Sequence, residues 1–180
     1  MRVGCFFIVA GILTGPAVAE PVTGPVIPGH GPVYYVPEEP QPWPAGQTLK
    51  AAFDIAGAPE APAEPNTRFE TVARYLNMHA RAGVAAEQLP VAIVLHGRAT
   101  RSALDPEIFE ERYGETHPDA ELLKLLVAAG VRIVVCGQSA TAFGFAPAEF
   151  APGIDMSLSA MTSLVALQSE GYALIPWGAD

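Results

Sequence analysis

The sequence predicts a three-layer α/β/α fold built on a mainly parallel five-stranded sheet, and three observations carry this prediction. Short continuous apolar runs such as Val91–Leu95 are typical of strands that are buried on both faces. Segments with helical spacing of apolar residues separate these runs, which favours parallel strands joined by helices. Gly83, Gly130 and Gly171 stand where the longer helical patterns end, as helix-terminating glycines do.

The first elements follow a proline-rich amino-terminal stretch. Leu49–Ile55 is predicted as the first strand. Thr67 and Glu70 have the spacing of a capping box and mark the start of the first helix. Five apolar residues then recur on one helical face: Phe69, Val72, Ala73, Leu76 and Ala80. Gly83 ends this helix, and Val91–Leu95 is the second strand.

The carboxyl-terminal half repeats the alternation. Asp105 and Pro106 cap and open a short helix that reaches Tyr113. Pro118 opens another helix, which ends at Gly130. The remaining predicted elements, in chain order, are a strand at Val131–Val135, a strand at Ile154–Leu158, a helix at Ser159–Ser169 and a strand at Tyr172–Trp177.

Residues 1–19 have the pattern of a cleavable signal peptide. Arg2 supplies the positive charge, Cys5–Leu13 is an apolar run of signal-peptide length, and Ala17–Ala19 is an A-x-A cleavage site. The apolar run is short for a stable membrane anchor, and no later segment is long and apolar enough to span a bilayer. The sequence therefore predicts a periplasmic protein that starts at Glu20 and keeps Cys136 as its single thiol.

Residues 20–48 are predicted as a proline-rich arm, and residues 49–180 as the folded domain. Eight prolines lie between Glu20 and Pro44, which predicts an extended, polyproline-like chain. The aromatic residues Tyr34, Tyr35 and Trp43 favour packing of part of the arm, but a flexible leader is an equal alternative. We expect that the arm can be removed without unfolding the domain.

The amino-acid composition limits the kinds of partner that this protein is expected to bind. The formal net charge of −9 argues against binding to nucleic acid or to an anionic membrane surface. Half of the residues are hydrophobic and only 16% are charged. This apolar content indicates that some surface is buried between subunits, so we expect a homo-oligomer.

Two residues of chemical interest follow predicted strands: His96 and Cys136. Ligands of doubly wound sheets bind beyond the carboxyl ends of the strands, where both residues are expected. Cys136 precedes a predicted short helix that opens near Gln138 or Ser139, and Gly137 permits a tight turn. A helix amino terminus lowers the pKa of a thiol and raises its reactivity. The alternative is a buried cysteine that only fills space.

Further polar residues surround this predicted pocket. His96 could accept a proton, stabilise a thiolate or bind an anion together with Arg98, and Gly97 separates the two. The alternative is a structural role, which is the more common one for a histidine at a strand end. Asn77 and His79 lie beside the apolar stripe of the first helix, where they could pin a loop or contact a partner subunit.

Other kinds of site find no support in the sequence. The histidines lack metal-ligand spacing, and neither CxxC nor HExxH occurs. The sequence has no GxGxxG or GxxxxGK[ST] loop for a nucleotide and no GxSxG elbow of an α/β-hydrolase. No metal and no cofactor are predicted.

Four stretches taken together resemble the DsrE/DsrF-like family, and its exported members in particular. They read RYLNMHARAGV, VAIVLHG, ELLKLLVAAGVRIVVCGQS and LSAMTSLVALQSEGYALIPW, and the resemblance covers roughly Leu49 to Trp177. It implies an α/β/α fold and oligomers, commonly trimers or hexamers. Some members relay sulfur as a persulfide on a cysteine near the carboxyl edge of the sheet, and Cys136 is the residue that matches that position.

Two functions from different classes follow. The first is a periplasmic sulfur-handling protein, a sulfurtransferase-like carrier in which Cys136 accepts sulfane sulfur from a donor or passes it to an acceptor protein. His96, Arg98, Gln138 and Ser139 would then shape the pocket. The second is a non-catalytic oligomeric protein that binds a small ligand or a partner's tail beside a buried Cys136.

Overall fold

The computed structural model describes residues 20–36 and 46–177, which form one five-stranded sheet in the order β4-β3-β2-β1-β5. The strands are β1 Ala51–Ile55, β2 Val91–Leu95, β3 Arg132–Cys136, β4 Ile154–Ser157 and β5 Ala173–Trp177. Every neighbouring pair is parallel. The predicted fold class is therefore confirmed. The predicted signal peptide and Trp43 lie outside the described residues.

Within the described residues, five α-helices connect and flank the strands: α1 Thr67–Arg81, α2 Pro106–Tyr113, α3 Ala120–Ala128, α4 Gly137–Phe143 and α5 Ala160–Ser169. A 3-10 segment over Gly97–Ala103 follows β2. Asp105 caps α2 as predicted, since its carboxylate accepts a hydrogen bond from the Glu107 amide. The predicted elements thus recur in the predicted order, with ends that differ by a few residues.

The start of α1 differs from the predicted capping box. Asn66 is the N-cap, because its side-chain oxygen accepts the Arg68 amide at 3.3 Å, and Thr67 is the first helical residue. The Glu70 carboxylate does not reach back to the cap. It accepts the Gly31 amide at 2.6 Å and lies 2.7 Å from Nδ1 of His30. A segment distant in sequence thus engages the carboxylate that the local pattern assigned to the cap.

The two faces of the sheet carry cores of different size. Phe53, Ile93 and Ile133 belong to the larger core, which includes the buried side of α1 and α3. The opposite face presents small side chains such as Ala52 and Ala92, against which α5 packs. Cys136 lies on this second face. The thiol is therefore on the side of the sheet that α5 covers.

The segment 20–36 packs against α1, which corrects the expectation of a dispensable arm. Val22 and Val33 form an antiparallel bridge, and Ile27 between them is fully buried in the larger core. Gly31 has φ of 58°, and a Cβ there would lie 2.2 Å from the Arg74 amide nitrogen, so only glycine fits. Tyr34, one of the aromatic residues expected to carry the packing, is exposed.

Asn77 holds this segment in place. Its Oδ1 accepts the amides of Val26 and Ile27 at 3.0 and 2.8 Å. Its Nδ2 donates to the carbonyls of Ile27, His30 and Gly31 at 3.2, 2.9 and 3.3 Å. The side chain is 0% exposed. Asn77 therefore pins a loop of its own chain, and the predicted subunit contact is wrong for this residue because no surface of it remains for a partner.

His79 is also buried rather than available to another subunit. Its Nδ1 lies 2.8 Å from the carbonyl oxygen of Tyr75, one helical turn earlier, and the two rings are 4.2 Å apart. The histidine therefore packs mainly within its own subunit, which leaves little of its surface for a contact with a partner subunit.

Candidate functional site

The sheet topology brings His96 and Cys136 side by side. β2 and β3 are neighbours with Leu95 opposite Val135, so His96 and Cys136 occupy the next pair of positions in the same register. Neighbouring strands lie about 4.8 Å apart, and paired residues point to the same face. Two residues 40 positions apart in the chain thus meet at the carboxyl edge of the sheet, as the sequence predicted.

Cys136 is at once the last residue of β3 and the N-cap of α4. Its sulfur accepts the Ser139 amide at 3.5 Å. The Ser139 hydroxyl oxygen accepts the Gly97 amide at 3.0 Å, which leaves the hydroxyl proton to donate to the sulfur. Hydrogen bonds from the helix start therefore converge on the thiol.

These donors decide the ionisation of the thiol. Burial alone would raise the pKa of Cys136, but hydrogen bonds from the Ser139 hydroxyl and amide and from the amides of Ala160 and Gln138 outweigh it. The net effect is a pKa below the ordinary value for cysteine. The sequence led us to expect His96 to add to this shift, but the donors that lower the pKa are the serine hydroxyl and backbone amides.

Asp54 joins the site and was missed by the sequence analysis. Its Oδ1 lies 2.8 Å from Nε2 of His96, which is a hydrogen bond between neighbouring strands β1 and β2. The side chains are 27% and 30% exposed, so the pair is partly withdrawn from water. The available signal was a carboxylate inside the otherwise apolar strand AAFDI. An acidic residue in a strand buried on both faces needs a partner.

These residues line one cavity of about 330 Å³. Its polar wall is formed by Asp54, His96, Cys136, Gln138 and Ser159, and its apolar wall by Ala160, Met161 and Leu164 of α5. Cys136 is only 5% exposed, so the sulfur borders the cavity with a small part of its surface. The cavity can hold a small ligand or the end of a partner segment against the thiol.

Arg98 lies away from this cavity. It lines two other depressions, one with Arg101 and Phe143 and the other with Gly57 and Arg68. The 3-10 segment that starts at Gly97 directs the chain away from the cavity, so the expected pairing of His96 with Arg98 around one anion is not what the structure shows.

The two predicted glycines have structural roles next to the thiol. Gly97 has φ of 52° and donates its amide to Ser139. Gly137 is the first residue of α4, and a Cβ there would lie 2.5 Å from the Ser157 carbonyl oxygen. Both glycines allow backbone segments to approach closely and so position the donors around Cys136.

Two further properties concern the described residues only. Among residues 20–36 and 46–177, no group of three or more His, Cys, Asp or Glu side chains is placed to hold a metal ion. Within the same ranges, no helix has the length and apolar character needed to cross a membrane.

Residues 50–177 match the DsrE/DsrF-like family. The chain belongs to the DsrE/DsrF-like family. The match begins at β1, so the segment 20–36 that packs on α1 is an addition outside the shared DsrE/DsrF-like domain. No curated protein matches this chain.

Solved structures show the same fold. A protein of unknown function from Methanobacterium thermoautotrophicum, MTH1491, has 19% sequence identity and a TM-score of 0.53 over 72% of this chain and 99% of its own. The YchN protein from E. coli has 16% identity and a TM-score of 0.53 over 72% of this chain and 100% of its own. At these identities, the likeness establishes the DsrE/DsrF-like fold alone.

Proposed function

We propose that this protein is a periplasmic sulfur carrier that accepts sulfane sulfur as a persulfide on Cys136. One observation carries the proposal: the only described cysteine borders a cavity and has a lowered pKa because four hydrogen-bond donors face it. The thiolate is the nucleophilic form of cysteine, so these donors increase the reactive fraction at neutral pH. Family membership supports the proposal, since sulfur relay occurs among DsrE/DsrF-like proteins.

The periplasmic location rests on the sequence of residues 1–19, with its basic start, apolar run and A-x-A site. Its test is amino-terminal sequencing of protein from a periplasmic extract. We expect a start at or near Glu20, and an intact Met1 would contradict export.

A second candidate function is non-catalytic binding of a small ligand or a partner's tail in the cavity. The observation that favours it is the small exposure of Cys136, which limits access to the sulfur. The apolar wall formed by Met161 and Leu164 would then supply affinity, and the thiol would have no chemical role.

Mass spectrometry separates the two functions. Protein purified from its native compartment, and protein incubated with a low-molecular-weight persulfide, should gain about 32 Da, one sulfur atom, on the Cys136 peptide. Cys136→Ser is nearly isosteric and should fold normally without the gain. A folded wild-type thiol that stays unmodified and resists iodoacetamide until denaturant is added would favour the binding function.

A further inference from the structure

The Asp54–His96 pair suggests how sulfur transfer at Cys136 is assisted. We propose that Asp54 is a positioning residue, which holds His96 so that its other ring nitrogen protonates the thiolate that leaves the sulfur donor. The inference rests on the proposed sulfur-carrier function and deepens it. It stands on the 2.8 Å contact, on the register of three neighbouring strands and on the shared cavity.

The contact determines which nitrogen of His96 is available. A carboxylate only accepts hydrogen bonds, so Nε2 must carry the hydrogen that bonds to Oδ1 of Asp54. The bond at one ring nitrogen sets the role of the other. Nδ1 is therefore the nitrogen through which a proton is transferred.

The register places this imidazole on the same face of the sheet as the sulfur. Asp54 pairs with Val94 in β1 and β2, and Val94 pairs with Val134 in β2 and β3. Asp54, His96 and Cys136 therefore project from the same face of the sheet. They are also the titratable side chains that line the cavity, together with the uncharged Gln138 and Ser159. The α5 residues at the cavity are uncharged as well.

The step balances in atoms and charge. The Cys136 thiolate attacks the outer sulfur of a donor persulfide R–S–SH and forms a new S–S bond, while the S–S bond of the donor breaks. The leaving R–S⁻ takes the proton from Nδ1 of the His96 imidazolium. The products are Cys136–S–SH, R–SH and neutral His96. No further oxidant or reductant is needed, because the sulfane sulfur moves between two thiols.

Disulfide probes test this assistance without relying on persulfide chemistry. An alkyl disulfide such as oxidised glutathione releases a basic thiolate that benefits from a proton, whereas an aromatic disulfide such as 4,4′-dithiodipyridine releases a stable thiolate that needs none. His96→Gln should slow the alkyl reaction by about 100-fold, and Asp54→Asn by about tenfold. Both variants should keep the aromatic rate within about twofold, because that rate reports only the thiolate.

The double variant adds a readout that a merely structural role would not change. Asp54→Asn/His96→Gln should be no slower than His96→Gln, because Asp54 acts through His96. Asp155→Asn removes an exposed carboxylate from β4 and serves as the matched control with wild-type rates. Should Asp54→Asn fail to fold, Asp54→Glu tests the same role, because it keeps the carboxylate but displaces it from Nε2 of His96, and it should likewise slow only the alkyl reaction.

The inference would be overturned by equal slowing with both disulfides, by a wild-type alkyl rate in His96→Gln, or by a double variant much slower than His96→Gln. A wild-type thiol that reacts with neither disulfide would overturn it as well. Failure of the proposed function looks different. In that case both disulfides give the predicted pattern, yet Cys136 never acquires sulfur from a persulfide.

Discussion

At the scale of single residues, the Ser139 hydroxyl links the Gly97 amide to the Cys136 sulfur. Ser139→Ala should raise the pKa of the thiol, because one of the donors that stabilise the thiolate is lost. A hydrogen bond of about 1 kcal/mol corresponds to roughly a fivefold slower reaction with iodoacetamide at pH 7. Thr141→Ala removes an exposed hydroxyl of the same helix and serves as the control. A rate-versus-pH profile that coincides with wild type would contradict this role of Ser139.

Asp119 is a second residue whose pKa is shifted by its surroundings. It is buried where the Asn66 amide donates to Oδ1 at 2.8 Å, and burial raises its pKa from 3.8 to about 6. Since the folded value exceeds the unfolded one, the fold binds this proton more tightly. Its contribution to stability is largest below about pH 4 and declines as the pH rises to about 6, by up to about 3 kcal/mol.

Asp119→Asn should remove that decline. Urea unfolding at pH 4.5 and pH 7.5 should show a smaller loss of unfolding free energy in the variant than in wild type on going to the higher pH. His117 beside it has a pKa lowered by burial and is present in both proteins, so the comparison between wild type and variant isolates Asp119. Asp155→Asn, at an exposed aspartate, should lose as much unfolding free energy between these two pH values as wild type does. An equal loss in Asp119→Asn would show that the raised pKa of Asp119 is wrong.

At the scale of elements, the segment 20–36 is part of the core through Ile27. Ile27→Ala should lower the unfolding free energy by about 2–5 kcal/mol, because it leaves a cavity between the segment and α1. Val22→Ala changes an exposed side chain of the same segment and should cost less than about 0.5 kcal/mol. Denaturant unfolding measures both. Equal stabilities of the two variants would mean that the segment does not pack on α1 in solution.

At the scale of the whole molecule, the outer side of α5 is the surface that we expect to join subunits. Met161 is 75% exposed, and Leu158 and Val165 are also exposed. No charged residue lies between Asp155 and Glu170, so two copies of a chain with net charge −9 can approach here with little repulsion. The family resemblance implies a trimer or hexamer. We expect such a homo-oligomer, with its contact on this surface.

Light scattering tests this expectation. Wild-type protein at micromolar concentration should have a multiple of the monomer mass, and Met161→Glu should reduce it by placing a charge in the contact. Val36→Glu alters an exposed valine of the amino-terminal segment and should leave the mass unchanged. A monomer mass for wild type would contradict the homo-oligomer, and an unchanged mass for Met161→Glu would contradict the proposed surface.

The sequence by itself determined the α/β/α class and much of the candidate site. Continuous apolar runs such as Val91–Leu95, and helical spacing between them, are local patterns that need no partner to be recognised. They place His96 and Cys136 at strand ends, where a doubly wound sheet presents its ligand site. The start of α4 after Cys136 likewise indicated that the thiol would have hydrogen-bond donors nearby.

Only the tertiary structure decided which distant residues meet. Asp54 reaches His96 across 42 positions, and Asn77 binds the Val26 amide across 51. Such contacts depend on strand order and on which helix face a loop covers, and neither leaves a periodic signal in the chain. The same reason explains Glu70, whose local spacing predicted a helix cap while its carboxylate binds Gly31 instead. Short-range patterns therefore established the elements, and the hydrogen-bonding requirements of buried polar groups established their partners.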